Sequence, residues 1–368
     1  MIEKLKFDCK YFRGDIPCVP NKLRDKVCDS CDEYQPFGKY ILIIKLGAMG
    51  DVIRTTPLLV KFRAMYPDSH ITWLTHTPEV LPKDKIQKPV RFEFKEIYKI
   101  QNKRYDIAVN LDKDEEACIL LSQVMAGQKY GFTWTNNHID IATPYAEHKL
   151  ITGLFDNISQ QNTRSYPEEI FEICHLRFNK EPYILNYDAQ LAEKWSNLRK
   201  QAGQKTIIGL NTGCGTRWLT RLWPNEYWIE LISYLKHSGY YPILLGGPAE
   251  DEQNRYLSDQ SGAYYPGYFP LEEFIALTAQ CDMIVSLVTM MMHIAIGLKK
   301  PLVLFNNIFN RHEYELYDNG VILEPPTGCD CYYGEQCKRE RHCMKDLKPQ
   351  SVMDAIEKLK QEKISKST

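Results

Sequence analysis

The sequence predicts an α/β protein with two Rossmann-like domains that face each other across a cleft. Two buried strand patterns, at residues 40–44 and 206–211, each end in a glycine turn and lead to an amphipathic helix pattern. Strand and helix patterns then alternate after each of them, as parallel sheets with crossover helices require. Cysteines crowd both ends of the chain, so we expect a cysteine-rich segment at each end.

Length, charge and apolar runs exclude several classes of protein. The chain has 368 residues, enough for two separate cores, and a net charge of −1, so we expect no nucleic-acid partner. No 18-residue apolar run and no secretory signal pattern occur, so we expect a cytoplasmic protein. Peripheral contact with the inner face of the cytoplasmic membrane and a homo-oligomer both stay open.

The first predicted region, residues 1–36, is a polar arm with four cysteines in the spacing C-x8-C-x9-C-x2-C. It has too little apolar material for a core, so a metal is expected to hold it together. Four thiolates suit a tetrahedral zinc ion, and an iron site or an iron–sulfur cluster fits the same ligands. Disulfides or free thiols are the alternative. The candidate ligands are Cys9, Cys18, Cys28 and Cys31.

The turn at residues 47–50 opens the second predicted region, residues 37–185. A glycine turn at the carboxyl end of a parallel strand lies where ligands bind, and its amides favour an anion. Asp51 would repel a phosphate there, so the turn is better suited to presenting a carboxylate to a neutral hydroxyl. The alternative is that Asp51 only caps the helix. The candidate acceptor-side loop consists of Gly47, Met49 and Gly50.

The rest of this region predicts a parallel sheet with crossover helices. Strands are expected at residues 70–75, 96–100 and 105–112, with a further short strand at 129–133. Helices are expected at 115–125 and 166–176. The polar stretch 136–163 is expected to form irregular loops over one face.

The third predicted region, residues 186–328, repeats this architecture. Strands are expected at 206–211, 242–245, 282–287 and 302–306, and helices at 225–237, 271–280 and 290–298. Neither G-x-G-x-x-G nor G-x-x-x-x-G-K-[ST] follows a strand, which argues against dinucleotide enzymes and P-loop ATPases. Two glycine turns that face each other instead indicate an enzyme that holds a nucleotide between its domains.

The last region, residues 329–368, returns to cysteines, in the spacing C-x-C-x5-C-x5-C. Four cysteines in fifteen residues indicate a metal, but this spacing does not separate zinc from iron. The candidate ligands are Cys329, Cys331, Cys337 and Cys343, with His342 as a spare. A final amphipathic helix at 351–361 is expected to fold back over the first domain.

Four motifs bring the chain close to a known family. KLGAMGDVIRTTPLL, an NTG turn followed by RLWP, LLGGPAEDE and HIAIGLKKPLVLF occur in the order seen in glycosyltransferase family 9. The chain therefore resembles, over roughly residues 38–310, the heptosyltransferase-like enzymes of the GT-B fold. The resemblance implies transfer of a sugar such as heptose from a nucleotide diphosphate donor, expected to be ADP-linked, to a hydroxyl. It also implies inversion at the anomeric carbon, no catalytic metal, and a lipopolysaccharide-type glycan or a protein as acceptor.

The resemblance also assigns roles to individual residues. Asp51 matches the general base that deprotonates the acceptor hydroxyl, a task that suits a carboxylate. Thr212, Gly213 and Arg221 match residues that meet the donor diphosphate, although a solvated surface position is the alternative for Arg221. Glu250 matches a contact to the donor ribose, with a helix cap as the alternative.

The chain departs from the family at Val288-Thr289-Met290, where relatives carry D-T-G. Thr289 and His293 stay in register as donor-side residues. The missing acid leaves the donor sugar in doubt, and Met290, Met291 and Met292 would either form an apolar lip on the pocket or face the core, as we expect for at least two of them.

The NNIF and CYYG segments are similar to those of a subset of the family that glycosylates proteins with heptose and carries a cysteine-bound iron in its second domain. Two alternatives remain, a redox or iron–sulfur protein on a nucleotide-binding scaffold and a relative that binds a sugar nucleotide without turnover.

Overall fold

The computed structural model describes residues 2–367, which form two compact units. Unit 1 consists of the residues up to Leu46 together with Leu58–Pro78 and Lys83–Ala146. Unit 2 consists of Gly47–Pro57, Glu79–Pro82 and the residues from Glu147 on. The glycine turn after the first strand therefore belongs to unit 2, although the strand itself belongs to unit 1.

Eleven strands are formed by the described residues. In chain order they are β1 (Tyr40–Ile44), β2 (His70–Thr75), β3 (Lys88–Arg91), β4 (Arg104–Asn110), β5 (Met125–Thr135), β6 (His138–Ile141), β7 (Ile207–Asn211), β8 (Tyr241–Leu245), β9 (Met283–Leu287), β10 (Leu302–Phe305) and β11 (Gly320–Leu323).

Fifteen α-helices are formed by the same residues. They are α1 (Val19–Arg24), α2 (Met49–Thr55), α3 (Pro57–Met65), α4 (Phe94–Gln101), α5 (Glu115–Gln123), α6 (Glu147–Thr152), α7 (Asp156–Gln161), α8 (Tyr166–Ile173), α9 (Ala189–Lys194), α10 (Ser196–Ala202), α11 (Asn225–His237), α12 (Asp251–Ser261), α13 (Leu271–Ala279), α14 (Met290–Gly297) and α15 (Pro349–Ser367).

The sheet of unit 1 has the order β3-β2-β1-β4-β5-β6. All neighbours are parallel except β5 and β6, which form an antiparallel hairpin. The central strand β1 pairs Ile41 with Ile71 on one side and with Ile107 on the other, and its residues 41–44 are fully buried. Strand order reverses between β1 and β4, which is the switch point where open α/β sheets bind ligands.

The sheet of unit 2 has the order β11-β10-β9-β7-β8, and every neighbouring pair is parallel. Its switch point lies between β7 and β9, where Asn211 is in register with Ser286. The core against this sheet contains Trp223 and Trp228, which pack edge to face with ring centroids 4.8 Å apart. Both units thus have the parallel, doubly wound architecture that the sequence predicts.

One predicted strand is wrong, because residues 96–100 lie in helix α4. Ile97 and Ile100 are three residues apart, and both pack against the core of unit 1, whereas Phe94 and Tyr98 are exposed. This three-residue spacing belongs to a helix, and five residues were too few to separate it from strand alternation. Lys99 also binds Glu96 one turn away, at 2.6 Å.

The stretch 136–163 is also more regular than predicted. It contains β6, α6 and α7. Asn136 and Asn137 adopt positive φ angles of 49° and 63° and form the two-residue turn between β5 and β6. Asparagine adopts positive φ angles more readily than most residues, so it is common in such hairpin turns.

The final helix, α15, is longer than predicted and packs elsewhere. Its apolar residues Val352, Ile356 and Leu359 belong to the core of unit 2, together with residues of α11. The expectation that it covers the first domain is therefore wrong. None of the helices in the described part of the chain is both long and apolar enough to span a membrane.

Candidate active site

The glycine turn that follows β1 carries Asp51 on the first turn of α2. Ala48 is the N-cap of this helix and Asp51 is its third residue, so Asp51 is not the capping residue that the alternative interpretation required. Its side chain is 32% exposed, which leaves the carboxylate accessible. Gly47 and Met49 on the same turn are half-buried.

Helix α14 approaches the glycine turn so closely that position 50 requires a glycine. A Cβ atom at this position would lie 2.5 Å from Cδ2 of His293, so only glycine fits without a shift. His293 is buried, and this burial lowers its pKa to about 3, with Arg54 lowering it further and Asp51 opposing. The ring is therefore neutral, and the structure places it beneath the glycine turn rather than on the surface.

Arg54 joins two carboxylates beside this turn. Its Nε atom lies 2.9 Å from Oδ1 of Asp51, and its Nη1 atom lies 2.6 Å from Oε1 of Glu313. The guanidinium also stacks on the ring of Tyr166, 3.5 Å from its centroid. Burial alone would lower the pKa of Arg54, but the two carboxylates raise it well above its usual value. Asp51 is thereby held by a permanent cation.

Sequence reasoning missed both partners in this group. The spacing of Asp51 and Arg54 is i, i+3, which is a recognisable ion-pair signal on a helix. Glu313 is 259 residues away from Arg54 along the chain, and nothing in the local sequence indicates the contact.

The second predicted turn follows β7, at the switch point of unit 2. Thr212 is fully buried, and its hydroxyl donates a hydrogen bond of 2.6 Å to Oδ1 of Asn254. The side chain therefore points into the protein. What Thr212 offers to a ligand is its backbone.

Glu250 connects this turn to the turn after β8. One carboxylate oxygen accepts the N–H of Gly247 at 2.9 Å, and the other accepts the N–H of Gly215 at 3.3 Å. Gly213 packs directly on Glu250, because a Cβ atom there would lie 2.0 Å from its Cγ. Glu250 thus fixes both glycine turns at the carboxyl edge of the sheet.

Arg221 lies just behind the same edge and is only 7% exposed, so it is not a solvated surface residue. Its guanidinium donates to the backbone carbonyls of Cys214, Val288 and Trp218. Among residues 2–367, none of the carboxylates forms an ion pair with Arg221. Burial lowers the pKa of Arg221 from the usual arginine value, because the buried guanidinium has lost its hydration and carbonyl dipoles replace it only in part.

The carbonyl of Val288 belongs to the loop that leads from β9 into α14. Thr289 caps this helix, since its hydroxyl accepts the N–H of Met291 at 3.2 Å. Asn211 at the end of β7 reaches the same hydroxyl at 3.4 Å. The start of α14 therefore lies beside the turn after β7, as their positions at the switch point require.

The three methionines that follow do not act alike. Met291 and Met292 are buried in the core, as expected for at least two of them, and Met290 is half-buried. Only Met290 can contribute to an apolar lip.

The cysteine-rich segment 329–343 also reaches this region. The ring of Tyr333 packs edge to face on Trp218 and on Phe309, at centroid distances of 5.6 and 5.0 Å. Both of those rings lie against the guanidinium of Arg221. Thr220 beside it donates a hydrogen bond to the carbonyl of Gly334. This packing has no signal in the sequence.

The cysteines of this segment are only partly brought together. Sγ of Cys343 accepts a hydrogen bond from the side-chain amide of Asn307 at 3.6 Å, and Sγ of Cys331 accepts the N–H of Lys338 at 3.2 Å. All twelve cysteines are free thiols. Across residues 2–367, no three His, Cys, Asp or Glu side chains are grouped to hold a single metal ion, so the predicted metal sites stay predictions.

A buried ion pair lies at the switch point of unit 1, where strands β1 and β4 end. Lys45 follows β1 and Asp112 follows β4, and their side chains are 5% and 8% exposed. Asp112 accepts hydrogen bonds from the Lys45 ammonium and from the N–H of Leu46. The two charges therefore neutralise each other within the fold.

This arrangement of turns and charges occurs in a chain whose residues 94–314, more than half of it, match the sequence model of glycosyltransferase family 9 (heptosyltransferase). The chain belongs to this family. It is a glycosyltransferase, as the resemblance implied, and its two doubly wound sheets are those of the GT-B fold.

Relatives of this glycosyltransferase are remote in sequence and similar in fold. Lipopolysaccharide heptosyltransferase 1 of Escherichia coli K12 is 24% identical over 347 residues, which cover 87% of this chain and 99% of the relative. The structure of a family 9 glycosyltransferase from Veillonella parvula has a TM-score of 0.67 at 20% identity and covers 89% of this chain and 98% of its own.

Two further solved structures are similar over most of the chain. The E. coli heptosyltransferase WaaC with ADP has a TM-score of 0.57 at 18% identity and covers 88% of this chain and 98% of its own. The iron-containing dodecameric glycosyltransferase TibC of enterotoxigenic E. coli has a TM-score of 0.53 at 15% identity and covers 89% of this chain and 77% of its own.

Proposed function

We propose that this glycosyltransferase moves a heptose, or a similar hexose-like sugar, from an ADP-linked donor to a hydroxyl of a lipopolysaccharide-type glycan, with inversion at the anomeric carbon. The observation that carries the proposal is the buried guanidinium of Arg221 at the switch point of unit 2. The names of the relatives support the choice of sugar and nucleotide, since one is a lipopolysaccharide heptosyltransferase and another was solved with ADP.

Arg221 is suited to an anionic ligand because its charge is not balanced by a carboxylate within the described part of the chain. A buried charge is costly unless it is paired, and a bound diphosphate would supply the missing negative charge. The planar guanidinium also matches phosphate oxygens in pairs. As the glycosidic bond breaks, the diphosphate gains negative charge, and a cation already in place stabilises it without reorganisation.

Backbone groups around Arg221 complete the proposed diphosphate site. The N-terminus of α14, which Thr289 caps, presents amide groups and the positive end of the helix dipole. The Thr212 hydroxyl is engaged with Asn254, so the turn at Thr212 and Gly213 would contribute its backbone amides rather than a side chain. In this proposal Glu250 acts first by fixing the two turns, and a contact to the donor ribose is its second role.

Asp51 is the proposed general base. A general base must reach the acceptor hydroxyl, and its carboxylate is partly exposed on the first turn of α2. Arg54 holds this carboxylate in one orientation through their ion pair of 2.9 Å. The proton of the acceptor hydroxyl passes to Asp51 as the hydroxyl oxygen attacks the anomeric carbon of the donor sugar. The bond between that carbon and the diphosphate breaks on the opposite face of the sugar, and the nucleotide diphosphate leaves. Gly47, Met49 and Gly50 would line the acceptor side.

The reaction as proposed uses no catalytic metal, since Arg221 and the helix N-terminus supply the positive charge. His293 contributes by packing beneath the turn rather than by touching the donor. Val288 and Met290, which replace an acid and a glycine of relatives, would make the sugar pocket less polar. A protein acceptor, a homo-oligomer and a cytoplasmic location at the inner membrane face remain our predictions.

A thermal-shift experiment tests the proposal directly. We expect ADP and ADP-heptose to raise the melting temperature of the wild-type enzyme more than UDP or GDP do, because ligand binding stabilises the folded state. Replacing Arg221 with Gln should weaken ADP binding about 10- to 100-fold, since hydrogen bonds to charged groups contribute about 1.5–3 kcal/mol each. The ADP affinity of Arg221→Lys should lie between that of the wild type and that of Arg221→Gln, because lysine keeps the charge but not the planar pair of donors.

Arg255→Gln is the matched control. Arg255 is an exposed arginine on α12 that pairs with Asp251 one turn away, at 3.0 Å. This variant should bind ADP as the wild type does. Undiminished ADP stabilisation in Arg221→Gln would contradict the proposed diphosphate site, and selective stabilisation by UDP or GDP would contradict the proposed donor.

A further inference from the structure

The N-terminal arm has no hydrophobic core of its own. Among residues 2–36, all of which the structure describes, Pro20 is the only buried residue. Large apolar side chains stand exposed along the arm instead. They are Ile2, Leu5, Phe7, Ile16, Val19, Leu23 and Val27. Burial of apolar surface therefore cannot hold this segment in one conformation.

Polar contacts do not make up for the missing core. The ion pairs of the arm, such as Lys4 with Asp29 and Arg24 with Glu33, are exposed, and exposed pairs contribute about 0–1 kcal/mol each. The arm contacts the rest of unit 1 through a hydrogen bond of 2.9 Å from the Phe37 N–H to the Asp8 carbonyl and an ion pair of 2.8 Å between Lys10 and Asp68. The segment still encloses a defined cavity.

This cavity has a volume of about 560 Å³, and all four cysteines of the arm line it. They come from three separate parts of the arm, at residues 9, 18 and 28–31. The charged side chains of the wall are largely paired with one another or with a neighbour. Lys4 pairs with Asp29, Arg13 with Asp15 and Lys26 with Asp32. The thiols are therefore the groups of the wall that remain to bind an occupant.

A single metal ion does not fit this arrangement. Four thiolates around one zinc ion lie about 3.8 Å apart, because each Zn–S bond is about 2.3 Å. No three metal-binding side chains of residues 2–367 approach one another in that way, and none of the four cysteines is in a disulfide. An iron–sulfur cluster has its own inorganic core, so its four cysteine ligands surround a wider space.

We propose that Cys9, Cys18, Cys28 and Cys31 bind an iron–sulfur cluster in this cavity. The cluster takes the place of a hydrophobic core and fixes the arm. The cysteines of residues 329–343 are not part of this proposal, because the cavity that Cys329 lines is lined by none of the other three. The proposal does not depend on the proposed sugar transfer.

Metal and sulfide analysis of the anaerobically purified full chain tests this. We expect iron and acid-labile sulfide in equal amounts, between about two and four of each per chain, with a visible charge-transfer absorbance that dithionite bleaches. Cys28→Ser combined with Cys31→Ser should lose both iron and sulfide. The control variants Cys174→Ala, in the core of unit 2, and Cys329→Ser should keep them.

Several results would overturn the proposal. Stoichiometric zinc, iron without sulfide, or metal that survives Cys28→Ser/Cys31→Ser but not Cys329→Ser would each do so. If the double variant folds poorly, the metal and sulfide content of the wild type still decides. Nucleotide-dependent thermal shifts on the same samples show whether the rest of the chain remains folded.

Discussion

The two sheets each reverse strand order at one point, and these two switch points are completed in different ways. In unit 1, the charges of Lys45 and Asp112 neutralise each other within the fold. In unit 2, the guanidinium of Arg221 donates its hydrogen bonds to backbone carbonyls and lies against the rings of Trp218 and Phe309. A matched pair offers little to a charged ligand, whereas a cation without a carboxylate partner does. In our proposal, the same topology therefore provides a structural centre in one unit and an anion site in the other.

The largest expected effect concerns Asp51, which belongs to neither the Lys45–Asp112 pair nor the surroundings of Arg221. In our proposal Arg221 binds the donor, and Asp51 takes the proton in the chemical step. Asp51→Asn should lower kcat about 100- to 10,000-fold, the usual contribution of a general base, and leave ADP binding unchanged. Steady-state transfer assays and ADP thermal shifts on the same protein measure both. Substantial turnover by this variant would remove Asp51 from its role.

The ion pair in unit 1 should behave as a structural element. Asp112→Asn leaves the buried ammonium of Lys45 without its counter-charge, so we expect the free energy of unfolding to fall by about 3–5 kcal/mol. Urea denaturation measures this loss.

The same variant sharpens the contrast with Arg221. ADP affinity should be unchanged in Asp112→Asn wherever the protein is folded, whereas Arg221→Gln should lose affinity. Weakened ADP binding in Asp112→Asn would show that both switch points serve the nucleotide.

A smaller effect is expected where α14 meets the glycine turn. Gly50→Ala places a Cβ atom 2.5 Å from the ring of His293, and such overpacking costs about 1–3 kcal/mol. The cost should largely disappear in Gly50→Ala/His293→Ala, relative to His293→Ala alone, because the clashing ring is gone. Denaturation of the four proteins of this cycle measures it, and strictly additive losses would mean that another contact excludes a side chain at Gly50.

The last expected effect is a dependence of stability on pH. His293 has a pKa of about 3 when folded and about 6.5 when unfolded. Between these values the unfolded chain binds the proton and the folded chain does not. The stability is therefore complete above pH 6.5 and declines as the pH falls toward 3, by at most about 1.4 kcal/mol per pH unit.

Urea denaturation at pH 7 and pH 5 should show a smaller decline in His293→Asn than in the wild type. His70 in unit 1 also has a lowered pKa, about 4, chiefly through burial, so His70→Asn is a matched comparison in the other unit. An unchanged pH dependence in His293→Asn would mean that His293 is not buried as a neutral ring.

The sequence was sufficient for the elements with long, regular patterns. Helix α11 begins and ends at the predicted residues, and β7 and β9 lie within one residue of their predictions, since each is a strong amphipathic or fully buried pattern. Residues 96–100 failed because a five-residue window cannot separate a period of 3.6 from a period of 2.

The site was predictable as a set of positions but not as a set of contacts. Sequence motifs located Asp51, Arg221 and Glu250, but the backbone of each turn decides where a side chain points. Thr212 shows this, because its hydroxyl turns inward to Asn254. The Arg54–Glu313 contact and the packing of Tyr333 join distant parts of the chain, which no local pattern encodes.

Unit 2 is built from segments near both ends of the chain, so it can be completed only late in synthesis. Its turn at Gly47–Pro57 leaves the ribosome early, whereas α15, which supplies Val352, Ile356 and Leu359 to its core, leaves about 300 residues later. The strands of unit 1 are all made before residue 147, so that unit can fold while translation continues. Asp51, which is the proposed base, Arg221 and the core of unit 2 therefore come together only once translation has passed α15.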